Sequence, residues 1–273
     1  MLTKRAILEE CEVPMGFAAN FRIGGIECWS DNIADAGRGF KRLGYELHGV
    51  KARSLEDAPL SKRTIVKGQI STVRKALHLL GCEQPENLDI PDSLQPFTHR
   101  EIWESTLGKV RRANDKVFIK PLNTQKGFAG HVYAGSKGWL FGGGYTDYGT
   151  DHLPAKYPVL VSEPVDFLSE WRVYVLQGEI QGVCNYEGNP DVRISRKKIR
   201  EMITAFKGAP ASYALDVGVM TKPKECYNGM LGFGPKHTAL VEVNEGFSAG
   251  NYGISCVKYA KMVEARWKEM VRA

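Results

Sequence analysis

No two cysteines of this 273-residue chain lie close together: Cys11, Cys28, Cys82, Cys184, Cys226 and Cys256 are dispersed, and no C-x-x-C occurs. A zinc ribbon or a redox dithiol needs such a pair, so both are excluded. Isolated thiols fit a reducing interior, with each cysteine serving as buried filler. Long apolar runs are missing too, and no window approaches the roughly 18 apolar residues that cross a bilayer. The opening residues, MLTKRAILEECEVPMGF, are interrupted by Lys4, Arg5, Glu9 and Glu10, which leaves no apolar core for a signal peptide. A soluble, cytosolic chain with no membrane partner is expected. There is no internal repeat, no low-complexity tract and no G-x-x-x-x-G-K-[ST] phosphate loop. The histidines form no ligand-like cluster, and no Ser/His/Asp ordering stands out.

Charge of one sign is also scarce over the first part of the chain. The formal net charge is +6, yet residues 1–115 carry seventeen bases against sixteen acids, so the excess lies beyond them. That surplus points to an anionic ligand, and only weakly to nucleic acid.

What is present reads as alternating helices and strands. Asp31 is placed to cap NIADAGRGFKRLG, and Gly44 ends that helix before the strand YELHGV. STVRKALHLLG is a second helix stopped by Gly81. EQPENLDIPDSLQPF, with three prolines and no periodicity, marks a boundary between residues 1–97 and 98–273. Beyond it, Thr98 and Glu101 have capping-box spacing, which predicts a helix over THREIWESTLGKVRR. DKVFIKP reads as a short buried strand and LNTQKGFAGHV as a glycine-bearing loop, with FGGGY a flexible turn. PVLVSEPVDF is strand-rich, and EWRVYVLQGEIQGVCNY is a hairpin turning near Gln177 and Gly178. PDVRISRKKIREMITAF is a basic amphipathic helix, and SYALDVGVM and TALVEVN are strands separated by TKPKECYNGMLGFGPKH, expected as an inserted loop. VKYAKMVEARWKEMV closes the chain as a helix. The fold class is α+β, mostly antiparallel towards the C-terminal end.

The chemistry concentrates late in the chain. Glu242 and Asn244 sit two apart on a strand, so they point to one face. Asp216 ends the apolar run of YALD, where a charge is costly unless it is paired or holds a metal. Two carboxylates and an amide oxygen are ligands for a hard cation such as magnesium, with phosphate oxygens and water filling its shell. A strand end meeting solvent accounts for any one of them alone; the set favours the cation. Lys120, closing VFIKP, needs an anionic partner such as phosphate, and a lysine snorkelling to the surface is the equal alternative. The loop of residues 123–130, with Lys126, Gly127 and Gly130, offers backbone amides to phosphates. Glu163 and Glu170 flank a connector that can present backbone groups to an adenine edge and a carboxylate to a ribose. Arg172 follows Glu170 on the same face, either a functional cation or its salt-bridge partner. Arg193, Arg196, Lys197, Lys198 and Arg200 could collect phosphate or a substrate carboxylate, although a charge run is more often a solvated face.

Lys120 at the end of FIKP, then VSEPVDFLSEWRVYVLQGEIQGV, Asp216 and LVEVN occur in the order of the ATP-grasp family, from about Thr98 onward. EVNEGFSAGNYG, together with IWESTLGKV before VFIKP, resembles the clade in which a usual arginine is replaced by lysine. The resemblance implies an ATP-grasp fold that holds its nucleotide between two α+β subdomains, preceded by a smaller α/β N-terminal domain. It implies that Lys120 contacts the phosphate and adenine region, that Glu163, Pro164 and Val165 form the hinge beside adenine, and that Glu170 holds the ribose. Asp216, Glu242 and Asn244 would bind magnesium, and Arg172 would stabilise transferring charge or a substrate carboxylate. Lys197, Lys198 and Lys222 are the candidates to replace the missing arginine. The implied activity is ADP-forming, ATP- and Mg2+-dependent carboxylate–amine ligation through an acylphosphate. Its partners would be ATP, a carboxylate-bearing small molecule or peptide, and an amine acceptor. Two alternatives stay open, a phosphotransfer enzyme on the same fold and a nucleotide-responsive binding module without turnover. Phosphorylated product without condensation marks the first, and salt-dependent nucleic-acid binding indifferent to ATP marks the second.

Overall fold

The structure is a computed structural model and describes residues 3–12, 21–113, 115–122, 127–133, 150, 152–225 and 231–272, with backbone alone for 222–225 and 231–233. Lys126, the FGGGY turn, Cys226 and the side chain of Lys222 lie outside the described residues. In chain order the first elements are β1 (Arg5–Glu10), β2 (Arg22–Ile23), β3 (Ile26–Glu27), α1 (Asp31–Arg42), β4 (Glu46–Lys51), β5 (Thr64–Lys67) and α2 (Ile70–Leu79). They are followed by β6 (Ile102–Thr106), α3 (Leu107–Ala113), β7 (Val117–Pro121), β8 (His131–Tyr133) and β9 (Pro158–Ser162). The last are β10 (Phe167–Leu176), β11 (Glu179–Gly188), α4 (Arg196–Ala205), β12 (Ser212–Glu225), β13 (Leu231–Glu245) and α5 (Cys256–Met270).

The chain groups into two compact units. One comprises Met1–Gln95, Leu168–Val219 and Leu240–Ala273; the other comprises Pro96–Phe167 and Met220–Ala239. In the first unit β1 pairs in parallel with both β4 and β5. Parallel neighbours need a crossover, and α1 supplies the one between β1 and β4. Ser30 caps α1 by accepting from the Ile33 amide, so Asp31 is the first helical residue, where its charge suits the helix dipole. The amide of Gln69, ahead of α2, is met by the carboxylate of Glu9 on β1 at 2.6 Å. The unit's second sheet has the order β11-β10-β12-β13, and the β10–β11 hairpin turns at Gln177 and Gly178 as expected.

One apolar core runs through this unit, from Ile7 and Leu8 of β1 and Phe40 of α1 to Tyr259, Val263 and Trp267 of α5. The helices α1 and α5 touch at Gly39, where any Cβ would overlap the Cys256 carbonyl and press on the Ala260 side chain. That approach is set by residues more than 200 positions apart, and no local pattern announces it.

The second unit holds the antiparallel sheet β6-β9-β7-β8 over a core of Leu107, Val110, Ile119, Phe128, Val159 and Val161. Here the capping-box expectation fails. Thr98 Oγ1 donates to the Arg100 carbonyl, and Ile102–Thr106 forms strand β6 along β9, with the helix starting only at Leu107. Pairing with β9 satisfies five residues of backbone, which a single side-chain cap cannot match. The stretch expected as an inserted loop after Met220 is also mostly strand, since β12 continues to Glu225 and β13 begins at Leu231.

Alanine is the better helix former, so an exposed Gly39 would gain from replacement. Gly39→Ala should instead lose ~1–3 kcal/mol by overpacking α1 against α5, read as a lower denaturant midpoint at unchanged slope. A stabilised variant would refute the close approach.

Candidate active site

The adjacent strands β10, β12 and β13 carry Arg172, Asp216, and the Glu242–Asn244 pair. Arg172 grips Asp216 with two hydrogen bonds, Nε to Oδ1 at 2.7 Å and a terminal nitrogen to Oδ2 at 2.6 Å. Both residues are buried, Asp216 at 3% exposure and Arg172 at 6%. The Asn244 amide nitrogen donates to Asp216 Oδ2 and to Glu242 Oε1, each at 3.0 Å. The three oxygen-bearing residues expected to act together therefore do meet. Glu170 lies close enough for its charge to act on Asp216, and its carboxylate accepts from the Tyr186 hydroxyl at 2.6 Å.

Burial pushes the Asp216 carboxyl up to about 6; Arg172 pulls the other way, and the charges of Glu242 and Glu170 add to the rise. Burial works against the Arg172 charge as well, but the hydrogen bonds and charge of Asp216 more than offset it and hold the guanidinium above its ordinary pKa. Negative charge is thus crowded into a dry setting with one arginine to answer it. A divalent cation fits that imbalance, and the donors are oxygens, the set magnesium takes. The amide N–H edge of Asn244 now draws the two carboxylates together, the part a cation would take over. Among the described residues, no group of three or more His, Cys, Asp or Glu side chains offers a softer metal site.

Three tyrosines that the sequence pattern did not single out hold this group. The Tyr252 ring lies 4.5 Å from the Arg172 guanidinium and the Tyr186 ring 5.8 Å, and the two rings stack at 5.1 Å. Tyr174 donates to the Gly250 carbonyl at 2.8 Å and accepts from the Tyr252 amide at 2.7 Å. A third Arg172 contact, 3.3 Å to the Gly250 carbonyl, ties the guanidinium to the same loop. The available signal was the period-two pattern: Tyr174 shares the face of Arg172, and Tyr186 shares that of Cys184, the cross-strand partner of Arg172.

The EGFSAGNYG stretch after Asn244 is anchored on several sides. Arg266 of α5 grips the Glu245 carboxylate at 2.6 and 2.8 Å. Gly246 passes so close to Ser212 that a Cβ would overlap it. The buried Lys67 ammonium donates to the Phe247 carbonyl at 2.8 Å, and burial lowers its pKa to about 8. Tyr259 donates to the Ala249 carbonyl at 2.7 Å.

The remaining candidates stand elsewhere. Lys120, on β7 opposite Leu160, and Glu163, Pro164 and Val165, just past β9, belong to the second unit. There Glu163 accepts from the Glu101 amide at 3.0 Å. Lys197 and Lys198 are exposed on α4, Lys198 is paired with Glu201 at 2.6 Å, and neither hydrogen-bonds to the Asp216 group. The first turn of α4 holds no acid, while Arg196, Lys197 and Lys198 put positive charge at the positive end of its dipole.

A family model described as an ATP-grasp domain, family 2 of the arginine-to-lysine clade, matches residues 97–262. No curated protein matches the chain by sequence. Solved structures do match in fold. D-alanine–D-alanine ligase from Bacillus anthracis, complexed with ATP, has a TM-score of 0.56 at 11% identity, covering 100% of this chain and 99% of that one. N5-carboxyaminoimidazole synthetase from Staphylococcus aureus has a TM-score of 0.53 at 7% identity, covering 98% and 78%. A RimK domain ATP-grasp protein from Sphaerobacter thermophilus has a TM-score of 0.50 at 15% identity, covering 98% and 100%.

Arg172→Met strands a buried carboxylate, and denaturation at about pH 7.5 should show a loss of ~3–5 kcal/mol. Because the folded-state pKa of Asp216 lies above the ordinary aspartate value, its ionisation opposes folding as pH rises from about 4 through about 6. The deficit of the variant should therefore shrink at about pH 5, where the carboxyl is protonated and needs no counter-charge. A deficit that grew there would contradict the pairing.

Proposed function

The chain belongs to the ATP-grasp family, and from that premise we propose that it is a magnesium-dependent, ADP-forming ligase that joins a carboxylate to an amine. ATP-dependent ligation is the general activity of the family. The observation that supports this reading is the Arg172–Asp216–Asn244–Glu242 chain of contacts on neighbouring strands. A carboxylate attacking a triphosphate brings anions together, and an acidic oxygen cluster has a use there only with a cation. Asp216, Glu242 and Asn244 would hold magnesium, which when bound supplies positive charge against the phosphates. Arg172 keeps the Asp216 carboxylate aimed and favours its ionised form, while Tyr252 and Tyr186 shield that pair from water.

The reaction has two steps. A substrate carboxylate oxygen forms a bond to the γ-phosphorus as the bond to the β-phosphate oxygen breaks, giving an acylphosphate and ADP. An amine nitrogen then bonds to the acyl carbon, phosphate leaves, and the amine sheds a proton. Glu170 would take the ribose hydroxyls, with Glu163, Pro164 and Val165 offering backbone to adenine and Lys120 meeting phosphate. The carboxylate substrate is an amino acid or peptide. All five described cysteines are free, which suits a reducing compartment such as the cytosol.

Mg2+–ATP at a hundred times its Kd should stabilise the protein by ~2.7 kcal/mol, a melting shift of very roughly 5–10 °C. Asn244→Ala should abolish the magnesium-dependent part of that shift. Product analysis during turnover should find ADP and phosphate; release of AMP and pyrophosphate would sink the acylphosphate route.

A further inference from the structure

The positive charge of this chain is not spread over its surface. Residues 193–207 contain six bases, Arg193, Arg196, Lys197, Lys198, Arg200 and Lys207, against the single acid Glu201, a surplus of five in a chain whose net charge is +6. All six bases are exposed. Ile199 and Met202 bury the inner face of α4, which turns Arg196, Lys197, Arg200 and Thr204 outward. Within the patch Glu201 is occupied by Lys198, and Arg193 stacks over the Trp171 ring at 5.0 Å. Among the described residues, Arg196, Lys197 and Arg200 have no salt bridge. Three of these charges also crowd the positive end of the helix dipole, where they weaken α4. A local feature that opposes the fold's own stability is the kind retained for binding.

We infer that the outward face of α4 binds an acidic polypeptide segment. It rests on the proposed ligase function only in making that segment the source of a carboxylate substrate. Carboxylate side chains match the guanidinium forks of Arg196 and Arg200, which can each take a carboxylate through two hydrogen bonds. Two observations favour a polypeptide over nucleic acid. None of the exposed large apolar residues lies on α4, and Trp171 is buried, so bases find no stacking platform. The strand that leads into the patch, β11, is the edge of its sheet and exposes Ile180 and Val183. An extended polypeptide can use an edge strand, and a nucleic acid cannot.

The test is fluorescence anisotropy with a labelled peptide of about ten glutamates, long enough to span the roughly 15 Å helix. A glutamine peptide and a single-stranded oligonucleotide of the same length serve as comparisons. Wild type should bind the glutamate peptide, more weakly as salt rises, and the glutamine peptide far less. Arg196→Glu/Arg200→Glu should weaken binding by about tenfold or more. Lys41→Glu/Lys261→Glu, which makes the same change in net charge on exposed positions of α1 and α5, should leave it nearly intact. Equal loss in both double variants, no binding of the glutamate peptide at low salt, or tighter binding of the oligonucleotide through the same arginines would each overturn the inference. The Mg2+–ATP melting shift is read on the same samples. If wild type keeps that shift while the peptide fails, the surface assignment alone falls; if the shift itself is missing, it is the ligase reading that fails.

Discussion

A guanidinium and a carboxylate buried together, Arg172 and Asp216, set the terms for everything around them. Their meeting requires β10 and β12 to lie side by side in a register that turns both side chains to one face. A slip of one residue would send either charge to the other face and leave its partner unanswered. The same register brings Asn244 within 3.0 Å of Asp216. The Tyr252 and Tyr186 rings then cover the pair, and the loop that carries Tyr252 is fixed by Tyr174, Lys67 and Tyr259. Each of these contacts is intelligible as support for one polar group in a dry place.

Burying such a pair is a poor route to stability. Desolvation of both ions competes with their attraction, and well-packed apolar residues often do as well or better. Asp216 still feels that penalty, since burial holds its pKa high despite the arginine beside it. Two further carboxylates nearby make matters worse for the isolated chain. The arrangement becomes reasonable when a cation and a polyanion complete it, which is the chemistry proposed for the site.

The basic surface of α4 follows a similar logic on the outside of the molecule. A nearly neutral chain has placed almost all its surplus charge on one short helix, at the end of the dipole where that charge is least welcome. Both places carry an unbalanced charge, one negative and buried, the other positive and exposed, and each is answered by a ligand of opposite sign.

Much of this could be read from residue order alone. Alternation put Glu242 and Asn244 on one face, and a charge ending the apolar run at Asp216 required a partner, because side-chain period and desolvation are local physics. The helices α1, α2, α4 and α5 followed from apolar spacing and their glycine stops. The strand β6 did not, since the Thr98–Glu101 signal is local while the pairing with β9 spans more than fifty residues. Nor could the chain order show that Arg172 would close on Asp216, that Tyr252 would lie over it, or that α5 would share a core with β1 and α1. Those contacts join segments far apart in sequence, and packing and desolvation select them only once the sheets have formed. The amino-acid order by itself determined the elements and the candidate ligands; tertiary packing decided which charges meet and which remain for a partner.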